Sequence, residues 1–413
     1  VMAVVPGGPS EHSGLLPGDR IFKANDTVIA GKNISDKKIR TMLRGPEGTK
    51  VRISVRRPFP AKDFVVEITR GSVPIYSVEA KYMLDSETGY IRLSRFAETS
   101  YREFTEAADS LLAKGMKKMV LDLRGNGGGY MDAATDIADE FLPEGKLIVY
   151  TKGRTDGEHR VVATRKGKLE KMPLAILVDE NSASASEILA GAIQDNDRGV
   201  IIGRRTFGKG LVQEEKHLTD GSGFRLTIAR YYTPTGRCIQ KPYDKGLENY
   251  ESDEEHRYKH GELLNKDSIK FPDSLKYKTP GGKTVYGGGG IMPDIFIPLD
   301  TAGGSDYLSA LFGHDIFSLW AMNFASHNRD ALVKNGREDF RRNFSVSDEM
   351  VNGLELIAAQ NGIKKNDAQE KRSDALIRRY LKAAVARSIW GDEGYYLCWN
   401  DEDAAIAAAM KSL

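Results

Sequence analysis

The sequence has few cysteines, little net charge and no long hydrophobic run. Only two cysteines, Cys238 and Cys398, occur in 413 residues, which excludes a disulfide framework and a cysteine-based zinc site. The 60 Lys and Arg residues against 58 Asp and Glu residues leave a net charge of +2, so no strongly basic surface for nucleic acid is expected. No stretch approaches the roughly 18 uncharged apolar residues that a membrane span needs. The length instead indicates about two to four globular domains.

The first seventy residues, 1–70, are predicted to form a small domain that is mainly β. We expect strands at 1–5, 51–55 and 64–68, and a helix that begins after Ser35 and ends at Gly45. With the run GLLPGDRI at 14–21, this arrangement resembles a PDZ domain; the alternative is a small β-rich domain without a peptide-binding role. The resemblance implies that the carboxylate-binding loop and the groove strand precede Val1, so we expect a partial PDZ domain.

Residues 71–300 alternate between predicted strands and helices. This alternation is typical of an α/β domain with a mostly parallel central sheet. The polar stretch at about 241–287 is predicted to be a surface insertion. The predicted strands are 90–93, 118–123, 147–151, 174–178, 200–203, 211–216 and 224–232, and the predicted helices are 101–113, 133–141 and one that starts within 181–187 and continues to about 194.

Residues 301–413 show helical periodicity. Apolar residues at 350, 354 and 357 follow the possible cap Ser347, and a second stripe at 377, 381, 384 and 385 is followed by Gly391, which we expect to end that helix. We predict a helical C-terminal domain without a catalytic cluster. Its apolar stripes suit either dimerisation or packing within one chain.

Two glycine-rich runs are candidates for phosphate binding. GRRTFGKG at 203–210 satisfies the first seven positions of a P-loop, but Gly210 replaces the Ser or Thr that would hold magnesium, and a strand pattern follows where a helix is required. Gly125 and Gly127 begin a dinucleotide fingerprint, which Tyr130 interrupts. What remains is a tight glycine turn after a buried strand, whose backbone N–H groups are suited to bind an oxyanion.

Ser184 lies where the strand 174–178 turns into a helix. Its hydroxyl is expected to project from the carboxyl edge of the sheet, beside the unpaired first-turn N–H of Ala185. The alternative is that Ser182, Ser184 and Ser186 are only N-cap residues.

A nucleophilic serine needs a base, and histidine is the usual one. His256 and His260 have the spacing of helical metal ligands, but their charged flanks disfavour a zinc site, while His159 and His217 remain open as bases. Lys209 is the stronger candidate, because it lies between two glycines on a turn between strands. Gln213, four residues later, could hydrogen-bond its amine.

Four motifs occur in order and carry a more specific resemblance. They are DLRGNGGG at 122–129, SASASEILAGA at 182–192, TFGKGLVQ at 206–213 and GGIMPD at 289–294. Together with the PDZ-like unit, they resemble the C-terminal processing (tail-specific) serine peptidases. The resemblance implies a crotonase/ClpP-like α/β core, with the partial PDZ domain before it and the helical domain after it.

The same resemblance implies a role for each matching residue. Ser184 is implied as the nucleophile, Lys209 as the general base and Gln213 as the residue that orients the lysine. The backbone N–H groups of Ala185 and of Gly128 and Gly129 are implied as the oxyanion hole. Neither a metal nor an organic cofactor is expected.

Lys209 must be uncharged to act as a base. The ordinary pKa of a lysine, about 10.4, would have to fall to about 7 to 8. Burial among glycines and Phe207, away from carboxylates, would lower it. Gln213 suits this site because it accepts an amine N–H without adding negative charge.

The implied function is a serine endopeptidase that cuts proteins near unstructured, apolar C-termini presented by the PDZ domain. The alternatives are a catalytically silent PDZ-bearing scaffold that binds peptides, and acyl-CoA chemistry on the related crotonase fold. The resemblance also implies a bacterial periplasmic or envelope location. A membrane tether through a segment that precedes Val1 and a homodimer through the helical C-terminal region are further expectations. No nucleic-acid partner is expected.

Overall fold

The computed structural model describes residues 1–31, 33–154, 157–164, 167–244 and 246–413. These residues divide into two compact units. One comprises Val1–Ile75 with Thr301–Asp401, and the other comprises Tyr76–Asp300 with Glu402–Leu413. The division into domains at 1–70, 71–300 and 301–413 stays a prediction, because compactness alone does not test which segments fold independently.

The second unit is built on a six-stranded sheet, which confirms the predicted α/β class. Five strands are parallel and the edge strand Val78–Met83 is antiparallel to its neighbour. The strand Leu174–Val178 is buried along its whole length, as its continuous apolar run requires in a parallel sheet covered on both faces. The strand order is Ile295–Phe296, Val200–Gly203, Leu174–Val178, Lys118–Asp122, Thr88–Leu93 and Val78–Met83.

Outside the polar segment 241–287, the helices described in this unit are Ser100–Leu112, Met131–Asp139, Ala185–Asp195 and Ala404–Ser412. Every residue of Ala185–Asp195 is buried, and its small and aliphatic side chains pack into the main hydrophobic core. At its end, fully buried Asp195 pairs with fully buried Arg237 at 2.7 Å, so the charge of each is compensated inside the protein.

A four-stranded antiparallel sheet and the polar segment 241–287 complete the unit. The sheet has the order Leu211–His217, Gly223–Tyr232, Leu147–Gly153 and Glu158–Val162. The segment contains helices Leu247–Glu251 and Asp253–Lys259 and the strand pair Lys276–Lys278 and Thr284–Tyr286; Lys245 lies outside the described residues. Among its buried side chains are Lys241, Arg257 and Leu263, so the segment contributes to the interior as well as to the surface.

The first unit begins with the PDZ-like sheet. Its strands, in the order Thr27–Val28, Arg20–Ala24, Lys50–Arg57 and Lys62–Thr69, are all antiparallel. The helix Asp36–Leu43 begins after Ser35, whose hydroxyl accepts the N–H of Lys38. The predicted strand at 1–5 is wrong, since these residues form no strand.

Helices make up the rest of the first unit: Asp306–Gly313, Ile316–Asn335, Arg337–Asn343, Asp348–Gln360 and Asp367–Trp399. Gly391 interrupts the last of these with φ 69° and ψ −160°, which confirms the predicted break there. The helices enclose their own apolar cluster. In the described part of the chain, no helix combines the length and apolar character of a membrane span.

Candidate active site

Ser184 occupies the sharp turn between the buried strand Leu174–Val178 and the buried helix Ala185–Asp195. Its backbone has φ 57° and ψ −113°, a conformation that costs a non-glycine residue free energy and recurs at functional sites. Two neighbouring serines are committed to the fold, because Ser182 Oγ donates to Leu123 O and Ser186 Oγ donates to Asn126 O, both at 2.8 Å. Ser184 itself is half-buried.

The glycine turn after the strand Lys118–Asp122 lies directly against this serine. A Cβ on Gly128 would lie 2.6 Å from Ala183 O and 2.8 Å from Ser184 Cβ. Gly128 also has φ +95°, which L side chains rarely adopt. Both the close approach and the backbone angle therefore require glycine here.

The turn and the start of the helix present backbone donors beside Ser184. The N–H of Gly128 donates to Asn126 Oδ1 at 2.9 Å, so this predicted oxyanion donor is already paired in this conformation. Among the described residues, the N–H groups of Gly129 and Ala185 have no acceptor. An oxyanion at this point would therefore find two free donors of the three predicted.

A buried carboxylate joins the backbone of Ser184 to that of Lys209. Glu187 is fully buried, and its Oε2 accepts the N–H of Ser184 and the N–H of Lys209, both at 2.9 Å. Its Oε1 accepts the hydroxyl of Thr206 at 2.5 Å and the N–H of Gly208 at 2.7 Å. One side chain thus holds the Ser184 turn and the Lys209 turn together.

A buried hydroxyl joins the same two residues through their carbonyl groups. Tyr231 Oη lies 2.6 Å from Lys209 O and 3.1 Å from Ser184 O, so its single hydrogen is shared between them. Burial, and then the charge of Glu187, raise the pKa of Tyr231 well above its ordinary value. The phenol therefore stays protonated and remains a donor.

The hydrogen-bond pattern around Glu187 indicates an ionised carboxylate. Burial raises the pKa of Glu187 above its ordinary value, and the hydrogen bonds from Thr206, Lys209, Gly208 and Ser184 oppose that rise. Thr206 Oγ1 accepts the N–H of Ile291 at 2.7 Å, so its own hydrogen is directed at the carboxylate. All four partners can donate to Glu187, the pattern that an ionised carboxylate accepts.

Gln213 is exposed, and its amide nitrogen donates to Thr227 Oγ1 at 3.3 Å. The pairing of Leu211–His217 with Gly223–Tyr232 shifts register between Val212 and Gln213. The extra residue of this irregularity is Ile228, on the partner strand. Lys209 itself is half-buried, and its role and that of Gln213 stay predictions.

The structure identifies two site residues that the sequence reasoning missed. Glu187 had a detectable signal, since a serine followed three residues later by glutamate is a capping-box pattern. Tyr231 had no detectable signal, because it lies 47 positions from Ser184.

His256 is half-buried, whereas His159, His217 and His260 are exposed. In the described residues, no group of three or more His, Cys, Asp or Glu side chains could hold a metal ion.

Three family models match parts of this chain. Residues 87–249 match peptidase family S41, and residues 1–57 match the PDZ domain. Residues 307–391 match a family of unknown function. The S41 match includes Ser184, Lys209 and the glycine turn, and the PDZ match covers most of the N-terminal sheet.

Curated relatives carry names that refer to C-terminal processing. The chain is 35% identical over 241 residues to the carboxy-terminal processing protease CtpA of Bacillus subtilis, covering 58% of this chain and 51% of the relative. It is 38% identical over 245 residues to the carboxyl-terminal-processing protease of Synechocystis, covering 58% and 56%. The chain thus spans about half the length of these relatives. A solved photosystem II D1 C-terminal processing protease is 29% identical, with 72% of this chain and 67% of that chain covered and a TM-score of 0.37.

Proposed function

We propose that this chain is a serine endopeptidase that cuts proteins near unstructured, apolar C-termini. The premise is that it carries a peptidase family S41 domain and a PDZ domain and is similar to carboxy-terminal processing proteases. One observation carries the proposal. Glu187 and Tyr231 together bind both the N–H and the C=O groups of Ser184 and Lys209. A nucleophile and a base are thereby held at neighbouring backbone positions.

In the proposed reaction, Ser184 Oγ attacks the carbonyl carbon of the scissile amide, while the neutral amine of Lys209 takes the hydroxyl proton. The carbonyl oxygen becomes an oxyanion, which the N–H groups of Ala185 and Gly129 stabilise. The Lys209 ammonium then gives its proton to the leaving amine as the C–N bond breaks. Water, deprotonated by the same lysine, hydrolyses the acyl-enzyme and restores Ser184.

The geometry also supports different roles for the groups that surround Ser184 and Lys209. Glu187 and Tyr231 bind only main-chain atoms of the reacting residues, so they act as positioning residues. Gln213 would reach Lys209 only after a change in the strand Leu211–His217, and we propose that this change accompanies activation. The PDZ domain would supply selectivity for C-terminal tails.

Replacement of the nucleophile tests the proposal. Ser184→Ala is expected to reduce turnover of an unfolded protein such as casein by at least about 10³-fold, because no other group attacks the amide. Hydrolysis is measured by release of acid-soluble peptides, with Ser222→Ala as a control, since Ser222 lies in an exposed turn and its hydroxyl donates to Asp220. Lys209→Arg should be equally inactive, because a guanidinium cannot deprotonate.

Two results would contradict the peptidase proposal, and a third would change only the assignment of the base. Wild-type protein that binds apolar C-terminal peptides without cleaving them would favour the silent scaffold. Specific binding of a CoA thioester would favour acyl-CoA chemistry. Activity retained in Lys209→Arg would assign the base to another group.

The cellular setting is proposed from resemblance to these bacterial relatives alone. We propose a periplasmic or cell-envelope location with a membrane tether, and a homodimer formed through the helical region. Fractionation of the producing cells tests the location, and sedimentation equilibrium tests the oligomeric state. Recovery in the cytosolic fraction, or a monomer at micromolar concentration, would contradict the corresponding part.

A further inference from the structure

The turn that carries Lys209 is contacted from its other side by the polar segment. Arg257, on the helix Asp253–Lys259, is 3% exposed. Its guanidinium donates to Arg205 O at 2.5 Å and to Thr206 O at 3.2 Å. One buried side chain therefore satisfies two successive carbonyl groups immediately before Phe207.

The next residues of the turn are held by Gln240 and Lys241. The N–H of Lys241 donates to Gly208 O at 2.8 Å, and Gln240 Oε1 accepts the N–H of Gly210 at 2.9 Å. Lys241 is 4% exposed, and its ammonium lies 3.8 Å from the centroid of the Phe207 ring. That arrangement is a desolvated cation–π contact, which fixes the ring as well as the backbone.

The polar segment is itself braced by further contacts of Lys241. The ammonium donates to Tyr250 O at 2.9 Å and lies 3.2 Å from Asp253 Oδ2. It also lies 4.3 Å from the centroid of the Tyr250 ring. Lys241 therefore joins the turn to both short helices of the segment.

These contacts account for every residue of the turn 205–210. Arg257 binds positions 205 and 206, Lys241 contacts positions 207 and 208, and Gln240 binds position 210. Glu187 and Tyr231 bind the main chain of Lys209. The turn needs such support, because Gly208 and Gly210 have wide backbone freedom and would otherwise let the lysine move. We propose that Arg257 and Lys241 are positioning residues that hold Lys209 at the distance required for proton transfer from Ser184.

This inference rests on the proposed function and extends it to the polar segment, where Lys241 lies within the S41 match at 87–249 and Arg257 lies beyond it. A displacement of about 1 Å in a catalytic group can lower the rate about 100-fold. Neither Arg257 nor Lys241 has to contact the substrate. Loss of either side chain should therefore lower kcat and leave KM nearly unchanged.

The test compares Arg257→Met with the matched control Lys259→Met in the full chain. Lys259 lies on the same helix, but it is exposed and pairs only with Glu255 in the described structure. Active sites are counted by labelling Ser184 with a fluorophosphonate, and kcat is expressed per labelled site well below the melting temperature. We expect kcat to fall about 10- to 100-fold in Arg257→Met, with KM within about twofold of wild type and no change in Lys259→Met.

Two further variants keep the test decisive if Arg257→Met does not fold. Arg257→Lys retains the charge but cannot bind both carbonyl groups in the same geometry. Lys241→Met removes the cation over Phe207 together with its contacts to Tyr250 and Asp253. Both should lower kcat and the fluorophosphonate labelling rate together. A wild-type kcat per labelled site in the folded variants, with only the melting temperature reduced, would overturn the inference. Absence of Ser184-dependent turnover in the wild type would instead overturn the proposed function.

Discussion

The hydroxyl of Tyr231 is the smallest feature on which the proposed chemistry depends. It is shared between Lys209 O and Ser184 O, so one hydrogen couples two turns that belong to different parts of the chain. Glu187 makes the complementary connection through N–H groups. Neither residue would react with substrate, yet both determine where the reacting residues lie.

Removal of this hydroxyl tests the coupling at the residue scale. Tyr231→Phe leaves Lys209 O without this donor, whereas Ser184 O still accepts the N–H groups of Glu187 and Ile188. We therefore expect the free energy of unfolding to fall by about 1 to 3 kcal/mol. We also expect kcat per labelled active site to fall, since the two turns can then separate. The control is Tyr232→Phe, whose ring stacks on Tyr150. Reduced stability with an unchanged kcat would mean that the hydroxyl supports only the fold.

At the scale of elements, the site is formed where a glycine turn packs against a strand-to-helix turn. The N–H groups of Gly129 and Ala185 face the same region because Gly128 has no side chain to separate the two turns. Asn126 stabilises the arrangement, since its side chain accepts the N–H of Gly128 and donates to Leu93 O. The turn therefore contacts the sheet on one side and the Ser184 turn on the other.

A methyl group at Gly128 should separate these turns. Gly128→Ala places Cβ 2.8 Å from the N of Ala185, so we expect kcat to fall by about 10² to 10³, the loss typical of one oxyanion donor. The measurement is steady-state hydrolysis of a peptide anilide. Gly127→Ala is the matched control, because no atom lies within 4 Å of a Cβ built there. Equal activity in the two variants would exclude the turn from the oxyanion site.

At the scale of the molecule, buried charges connect distant segments of the α/β unit. Asp122, fully buried at the end of its strand, lies 2.7 Å from Arg124 and 3.2 Å from Arg92. Arg124 also pairs at 2.7 Å with Asp403, which caps the helix Ala404–Ser412. Burial alone would raise the pKa of Asp122, but the two guanidinium groups hold it well below its ordinary value.

This lowered pKa predicts a pH-dependent contribution to stability. Ionised Asp122 stabilises the fold above the unfolded pKa of about 4, and the contribution is lost as pH falls through the lower folded pKa. Asp122→Asn should therefore lower the free energy of unfolding by about 3 to 5 kcal/mol at pH 7, with a difference from wild type that shrinks below about pH 4. Urea unfolding of both proteins at pH 3 to 7 measures this difference in the free energy of unfolding.

The control for the charge network is Asp109→Asn. Asp109 pairs with Lys168 on the exposed surface, so its loss should cost at most about 1 kcal/mol. A difference between wild type and Asp122→Asn that stays constant from pH 7 to pH 3 would contradict the assignment of an ionised, stabilising Asp122.

Local pattern was sufficient for much of the fold. The strands Leu174–Val178 and Val200–Gly203 have the predicted bounds, because short apolar runs between polar turns carry their own signal. Val1–Val5 carries the same signal but forms no strand, since a strand also needs a neighbour with which to pair. The prediction missed the edge strand Val78–Met83, because its sequence, VEAKYM, combines apolar and charged residues without a clear strand signal.

The sequence by itself determined the α/β class, the PDZ-like sheet, the helical region and the candidates Ser184 and Lys209, since each depends on residues close together in the chain. Only the tertiary structure decided that Glu187, Tyr231 and Arg257 surround those candidates, that Gly128 N–H is already paired and that Gln213 faces solvent. Tyr231, for example, lies 22 positions from Lys209 and 47 from Ser184. Contacts at such separations depend on how sheets and loops pack, which no local pattern encodes.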